Sequence, residues 1–186
     1  NYIIGYRGGD CFLSRPIELG PQLARVEIFA PESRVQSVID FDTAFKRTMG
    51  FEAEIGMRPI SSAQCPLIQT LDQMPAGTLD EGMIIQLDRD EILSGEELAG
   101  RIRGGEGTRL FLHDDDGGQA DLSPYMQMAG DDAEFAVPIT GGGPQLLIAA
   151  RPVEGGSLDH VMGLGALLDA AGQGEAALSV GFFLVK

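Results

Sequence analysis

From Met83 onward the apolar residues of this 186-residue chain recur at every second position in short runs, and that period constrains the fold more than any other feature. Met83–Leu87, Leu98–Arg103, Thr108–His113, Gln119–Leu122, Glu134–Pro138 and Gln145–Ala150 each read as a short strand. Glycine-rich or acidic turns part them at the spacing of a β-sandwich, and Gly141-Gly142-Gly143-Pro144 suits only a turn. The segment Arg109–Tyr125 organises this region. Leu110 and Leu112 alternate into Asp114-Asp115-Asp116-Gly117-Gly118, and the chain leaves through Gln119–Leu122 into Ser123-Pro124. Asp116-Gly117 is a favoured hairpin turn pair, so the segment is expected to be a β-hairpin. Leu178–Val185 (LSVGFFLV) is nearly continuous in apolar residues, which requires cover on both faces and an interior position in a sheet. Leu158–Ala171 is apolar enough for one helix, weakened at Gly163 and Gly165 by about 1 kcal/mol each relative to Ala.

Residues 1–76 carry a different pattern. Residues 10–14 and 24–30 read as strands, with Pro16, Gly20 and Pro21 marking the turn between them. A helix is expected over 33–49, with Ser33 and Gln36 as a capping box and Gly50 as the stop. Val35, Val38, Ile39, Phe41, Phe45 and Met49 recur at its period. Glu52–Arg58 follows as a strand ended by Pro59. A second helix fits 63–73, with Ser62 as N-cap and Pro66 in the first turn, where its missing N–H is tolerated. The fold class expected is α+β: a small β-β-α-β-α unit over 1–76, a linker over 77–82 opened by Met74-Pro75-Ala76-Gly77, and a mostly antiparallel β-sandwich-like unit with one helix over 83–186.

Charge supports the division. Residues 1–76 hold seven Lys/Arg against nine Asp/Glu, a net −2, whereas 77–186 hold six against nineteen, a net −13. An acidic surface repels phosphate backbones and anionic leaflets, so neither nucleic acid nor direct membrane insertion is expected. No run approaches the roughly 20 apolar residues of a spanning helix. A chain that opens at Asn1 without Met or an apolar leader reads as a piece of a longer protein. A hydrophobic fraction of 44% with no Trp and 26 Gly indicates a folded chain with an aliphatic core and many turns.

Few residues invite chemistry. The only cysteines, Cys11 and Cys65, read either as two buried thiols or, preferentially, as a disulfide joining the ends of the first unit. Such a bridge closes a loop worth about 4 kcal/mol in the chain-entropy model and implies an oxidising compartment. No CxxC accompanies them, and His113 and His160 lie in the other unit. Asp114, Asp116 and Asp121 are weak candidates for a metal site, with His113 and Asp115 beside them. The aspartates are consecutive where a calcium loop needs alternate ones, so a solvated turn is preferred and no cofactor is expected. Asp131-Asp132 reads as another turn. His160 follows Asp159, but no G-x-S-x-G elbow completes a triad, and Gly163-Leu-Gly165 lacks the third glycine of a dinucleotide fingerprint. Glu52 and Glu54 share a strand face, as exposed residues commonly do. Kinase catalytic motifs are absent from the sequence.

The residues Asp10-Cys11-Phe12, Glu27, Phe29, Ala44-Phe45, Gly50-Phe51-Glu52-Ala53, Ile55-Gly56, Arg58 and Gln64-Cys65-Pro66 resemble the region downstream of the kinase domain in serine/threonine protein kinases of alphaproteobacteria, rhizobia especially. Related segments occur in caspase-like proteins. Leu93-Ser94-Gly95, Leu98-Ala99-Gly100, Asp121-Leu122-Ser123 and Pro144-Gln145-Leu146-Leu147-Ile148-Ala149 resemble the continuation of the same kinases, so the likeness spans most of the chain. It implies a region that follows a spanning helix and stands in the periplasm, tethered through an upstream segment. It supplies no catalytic or ligand-binding residues. The expected role is a non-catalytic sensor or interaction region with an unidentified protein or small-molecule ligand, and homodimerisation is compatible with it. The alternatives are a hydrolase with a site at the unit interface and a calcium-dependent adhesion module.

Overall fold

The computed structural model describes residues 3, 6, 8–80, 82–103, 107–154 and 156–186. The fold is mixed α+β and divides into two units, Asn1–Gln73 and Met74–Lys186.

The first unit contains β1 (Leu13–Gly20), β2 (Leu23–Ala30), α1 (Val35–Met49), β3 (Glu54–Pro59) and α2 (Cys65–Asp72). Its sheet has the order β1-β2-β3, antiparallel between β1 and β2 and parallel between β2 and β3. Joining parallel strands requires a crossover, and α1 supplies it. Ala24, Val26 and Ile28 on one sheet face form a core with Phe41 and Phe45 of α1 and with Phe12. The α1 stripe is narrower than its sequence period suggests. Val35 and Ile39 lie about 80° and 120° round the helix from the buried Phe45, and both are about half exposed.

Local details depart from the sequence expectations for identifiable reasons. The first strand begins at Leu13, so Cys11 precedes it, and Cys11 adopts φ 63°, the left-handed region. Pro16 and Gly20 lie inside β1 rather than in a turn. β1 is an edge strand with a register shift between Pro16 and Glu18, and such a bulge tolerates a residue without an N–H. Ser33 does not cap α1. A 3-10 turn over Glu32–Arg34 takes it up, and the N-cap is Arg34 without a side-chain bond. Gly50 closes α1 at φ 78°. At α2 the N-cap is Gln64, not Ser62. Instead Ser61 and Gln64 bond reciprocally: Ser61 N–H donates to Gln64 Oε1 at 3.1 Å, and Gln64 N–H to Ser61 Oγ at 3.3 Å.

The second unit contains β4 (Ile85–Leu87), β5 (Glu91–Ile92), β6 (Glu97–Arg103), β7 (Arg109–His113), β8 (Gln119–Asp121), β9 (Met126–Ala129), β10 (Asp132–Pro138), β11 (Gly143–Pro152), α3 (Leu164–Gly172) and β12 (Ala176–Val185). They make a four-stranded sheet, β4-β6-β10-β9, and a five-stranded sheet, β5-β12-β11-β7-β8. Leu98, Ile102, Phe135 and Val137 from the first meet Leu110, Leu147, Ala149 and Phe183 from the second, which is the core of a sandwich. Strand β12 lies between β5 and β11 with α3 against it, as its continuous apolar sequence requires. Within that sheet β7 pairs β8 through Leu112↔Ala120 and His113↔Gln119, the hairpin read from the sequence.

The expected linker over 77–82 belongs to this unit. Leu178 N–H donates to the Thr78 carbonyl at 2.7 Å and Asp80 N–H to the Leu178 carbonyl at 2.8 Å, which docks the segment beside β12. Helix α3 begins at Leu164 rather than Leu158, because Gly163 at φ 96° is its N-cap. Asp132 is the first residue of β10.

Candidate functional site

The four-stranded sheet turns Leu98, Gly100 and Ile102 of β6 and Ala133, Phe135 and Val137 of β10 inward, which sends the alternate residues to its outer face. Register then arranges the outer side chains in rows. Gln86, Arg101, Glu134 and Gln127 form one row through the pairs Gln86↔Arg101, Arg101↔Glu134 and Glu134↔Gln127. The next row has Ala99 opposite Ala136. Asp88, one residue beyond β4, extends this row by donating its N–H to the Ala99 carbonyl at 3.1 Å. Tyr125, one residue before β9, stands at its other end. Two alanines between larger neighbours leave a depression of about 420 Å³.

Its walls are polar. Arg101 Nη2 donates to Glu134 Oε1 at 2.6 Å, with Asp132 Oδ2 3.9 Å from Arg101 Nη1. Tyr125 is 51% exposed and lines the depression. Asp88, Gln127, Glu134 and Arg101 present planar groups with donors and acceptors side by side. The lining contains no Ser, Cys, His or Lys, and its titratable groups are the Asp88 and Glu134 carboxylates, the Arg101 guanidinium and the Tyr125 hydroxyl. Glu134 is half exposed and ion-paired, unlike the dry apolar setting that keeps a carboxylic acid protonated for general-acid work.

The residues singled out from the sequence have other attachments. Asp114 Oδ1 accepts N–H bonds from Asp116 at 3.1 Å and Gly118 at 2.6 Å, and Gly117 sits at φ 87°, so Asp114 organises the hairpin turn. Asp121 accepts from Arg109 Nη2 at 2.7 Å and from Ser123 N–H at 2.9 Å. Burial raises the Asp121 carboxyl, but the hydrogen bonds from Ser123 and the Arg109 guanidinium outweigh it and hold the group below the ordinary carboxylate range. Among the described residues no three His, Cys, Asp or Glu side chains come together as metal ligands. His113 is buried and His160 exposed. Glu52 and Glu54 separate into different ion pairs, one with Lys46 and one with Arg25. The Lys46 ammonium bonds to Glu52 and holds that carboxyl below its usual value.

Cys11 and Cys65 are joined in a disulfide with Cα atoms 5.0 Å apart. The first unit's sheet carries a charge pattern not anticipated from the sequence. Glu27, only 16% exposed at its side chain, accepts from Arg15 at 2.5 Å and from Arg58 at 2.8 Å, while Arg25 lies between Glu18 and Glu54. Arg25 and Glu27 at alternate positions of β2 were the available signal.

No family model matches this chain, and no curated protein does. Among solved structures the chain is similar to the chitinase ChiW of Paenibacillus sp. str. FPU-7, a cell-surface-expressed multi-modular enzyme, with a TM-score of 0.32 and 10% sequence identity. That match covers 54% of this chain and only 8% of the chitinase chain, and no conclusion is drawn from it.

Proposed function

We propose that this chain is a non-catalytic, extracytoplasmic sensor or interaction region of a membrane-anchored signalling protein, a serine/threonine kinase of the kind its sequence resembles. The observation that carries the reading is the Cys11–Cys65 disulfide, since such bonds persist in oxidising compartments and are reduced in the cytosol. The outer face of the four-stranded sheet supports the interaction half of the reading: it offers an open polar depression lined by Asp88, Arg101, Tyr125, Gln127 and Glu134. Among the described residues, no helix is long and apolar enough to cross a membrane; the anchor in this reading is the upstream segment that the resemblance implies.

The test is the thiol state of the protein in its own cells. Rapid acid quench, alkylation and a mobility shift count the free thiols of Cys11 and Cys65 without prior reduction. None is expected until a reductant is added. Two alkylated thiols in the unreduced sample refute the extracytoplasmic assignment.

A further inference from the structure

We propose that the trough on the outer face of the four-stranded sheet is a binding site for a neutral polysaccharide segment. The proposal deepens the interaction reading above and rests on it. Three features of the trough select this ligand class.

The first is charge. Asp88, Glu134 and Arg101 leave the walls with a net negative charge, and Glu134 already occupies Arg101 at 2.6 Å. An anionic chain would meet two carboxylates and no uncommitted cation in this lining. The second is polarity. Carboxylate, amide and guanidinium groups surround a floor of Ala99 and Ala136, with Gly100 and Phe135 beside them, so an apolar ligand would strand their hydrogen-bonding atoms. Vicinal hydroxyls, each both donor and acceptor, match side chains that present paired donors and acceptors in one plane. The third is shape. The row Asp88, Ala99, Ala136, Tyr125 crosses β6 and β10 and reaches the chain just past the ends of β4 and β9, about 14 Å at the usual strand spacing. Tyr125, about half exposed, closes one end, and the C–H face of a sugar packs on such a ring as other apolar groups do. The small floor lets a chain lie across the strands without clashing.

Affinity electrophoresis of the intact 186-residue chain tests this, in native gels containing hydroxyethylcellulose, xyloglucan, galactomannan or dextran, with alginate as the anionic comparison. At least one neutral polymer is expected to retard the protein, and alginate is not. Tyr125→Ala and Gln127→Ala should each weaken the retarding interaction about tenfold. Ala136→Leu, which fills the floor from an exposed position, should abolish it. Thermal melts of all three variants check that folding is kept. Retardation by no neutral polymer, by alginate alone, or with equal strength in the three folded variants overturns the proposal. Reducing ends are assayed in the same mixtures. Their release with binding intact would leave the ligand class standing and overturn the non-catalytic reading instead.

Discussion

Removing the disulfide gives the most quantitative test of how the first unit is held together. Cys11 and Cys65 are 54 residues apart in sequence, and releasing a loop of that size frees about 4 kcal/mol of chain entropy in the unfolded state. A second contribution is local. Cys11 has φ 63°, where a β-carbon costs about 1 kcal/mol that glycine does not incur. The double substitution Cys11→Ala with Cys65→Ala should therefore destabilise the unit by about 4 kcal/mol. Cys11→Gly with Cys65→Ala should recover about 1 kcal/mol of it. Native-state hydrogen exchange of the β2 amides reads both effects in the intact chain, because β2 is the central strand of the sheet. Exchange should accelerate roughly a thousandfold in the alanine pair and about fivefold less in the glycine variant. Acceleration under about tenfold would refute the loop argument. Identical rates for glycine and alanine would refute the strain argument.

Two further substitutions probe the second unit. A methyl at Gly100 would lie 2.7 Å from the Gln86 carbonyl and 2.8 Å from the Phe135 ring, so Gly100→Ala should cost about 1–3 kcal/mol in a thermal melt. Gly56→Ala in the first unit, where a Cβ meets only Glu27 Cγ at 4.0 Å, should change stability by under about 0.5 kcal/mol. Asp121→Asn should lower stability at neutral pH by up to about 1 kcal/mol, a surface-pair magnitude because the carboxylate is one-third exposed. The folded Asp121 carboxyl lies below the ordinary value of 3.8, so its stabilisation is complete above that value and lost as pH falls through the folded one. Melts of wild type and variant should therefore converge in acid, and a gap that persists there would refute the assignment.

Local chemistry made much of the fold readable. The Asp114–Gly118 turn, the Gly50 stop and the alternation of β6 and β10 are decided within a few residues, and the sequence shows them directly. Two strands escaped because their signal is weak: β5 has only two residues, and β9 (MQMA) is largely exposed and shows no alternation of burial. The Ser33 capping box failed because a 3-10 turn competes for the same residues, whereas the reciprocal pair at Ser61 and Gln64 lies one residue from the expected cap. The trough was invisible for a different reason. Its shape comes from two alanines meeting in register across β6 and β10, and an alanine carries no chemical signal until its neighbours are known.

The docking of Thr78–Asp80 beside Leu178 sets the order in which the chain can fold. The first unit contains all its pairing partners once α2 is complete, so its sheet and its disulfide can form early during synthesis. The second unit cannot. Its opening segment and β5 both pair with β12, the last strand of the unit, across some ninety to a hundred residues of chain. Until β12 arrives, β11 has an open edge and an apolar surface that any passing strand can pair with. A cell that makes this protein must therefore protect the second unit for the whole time it takes to deliver its final ten-residue strand.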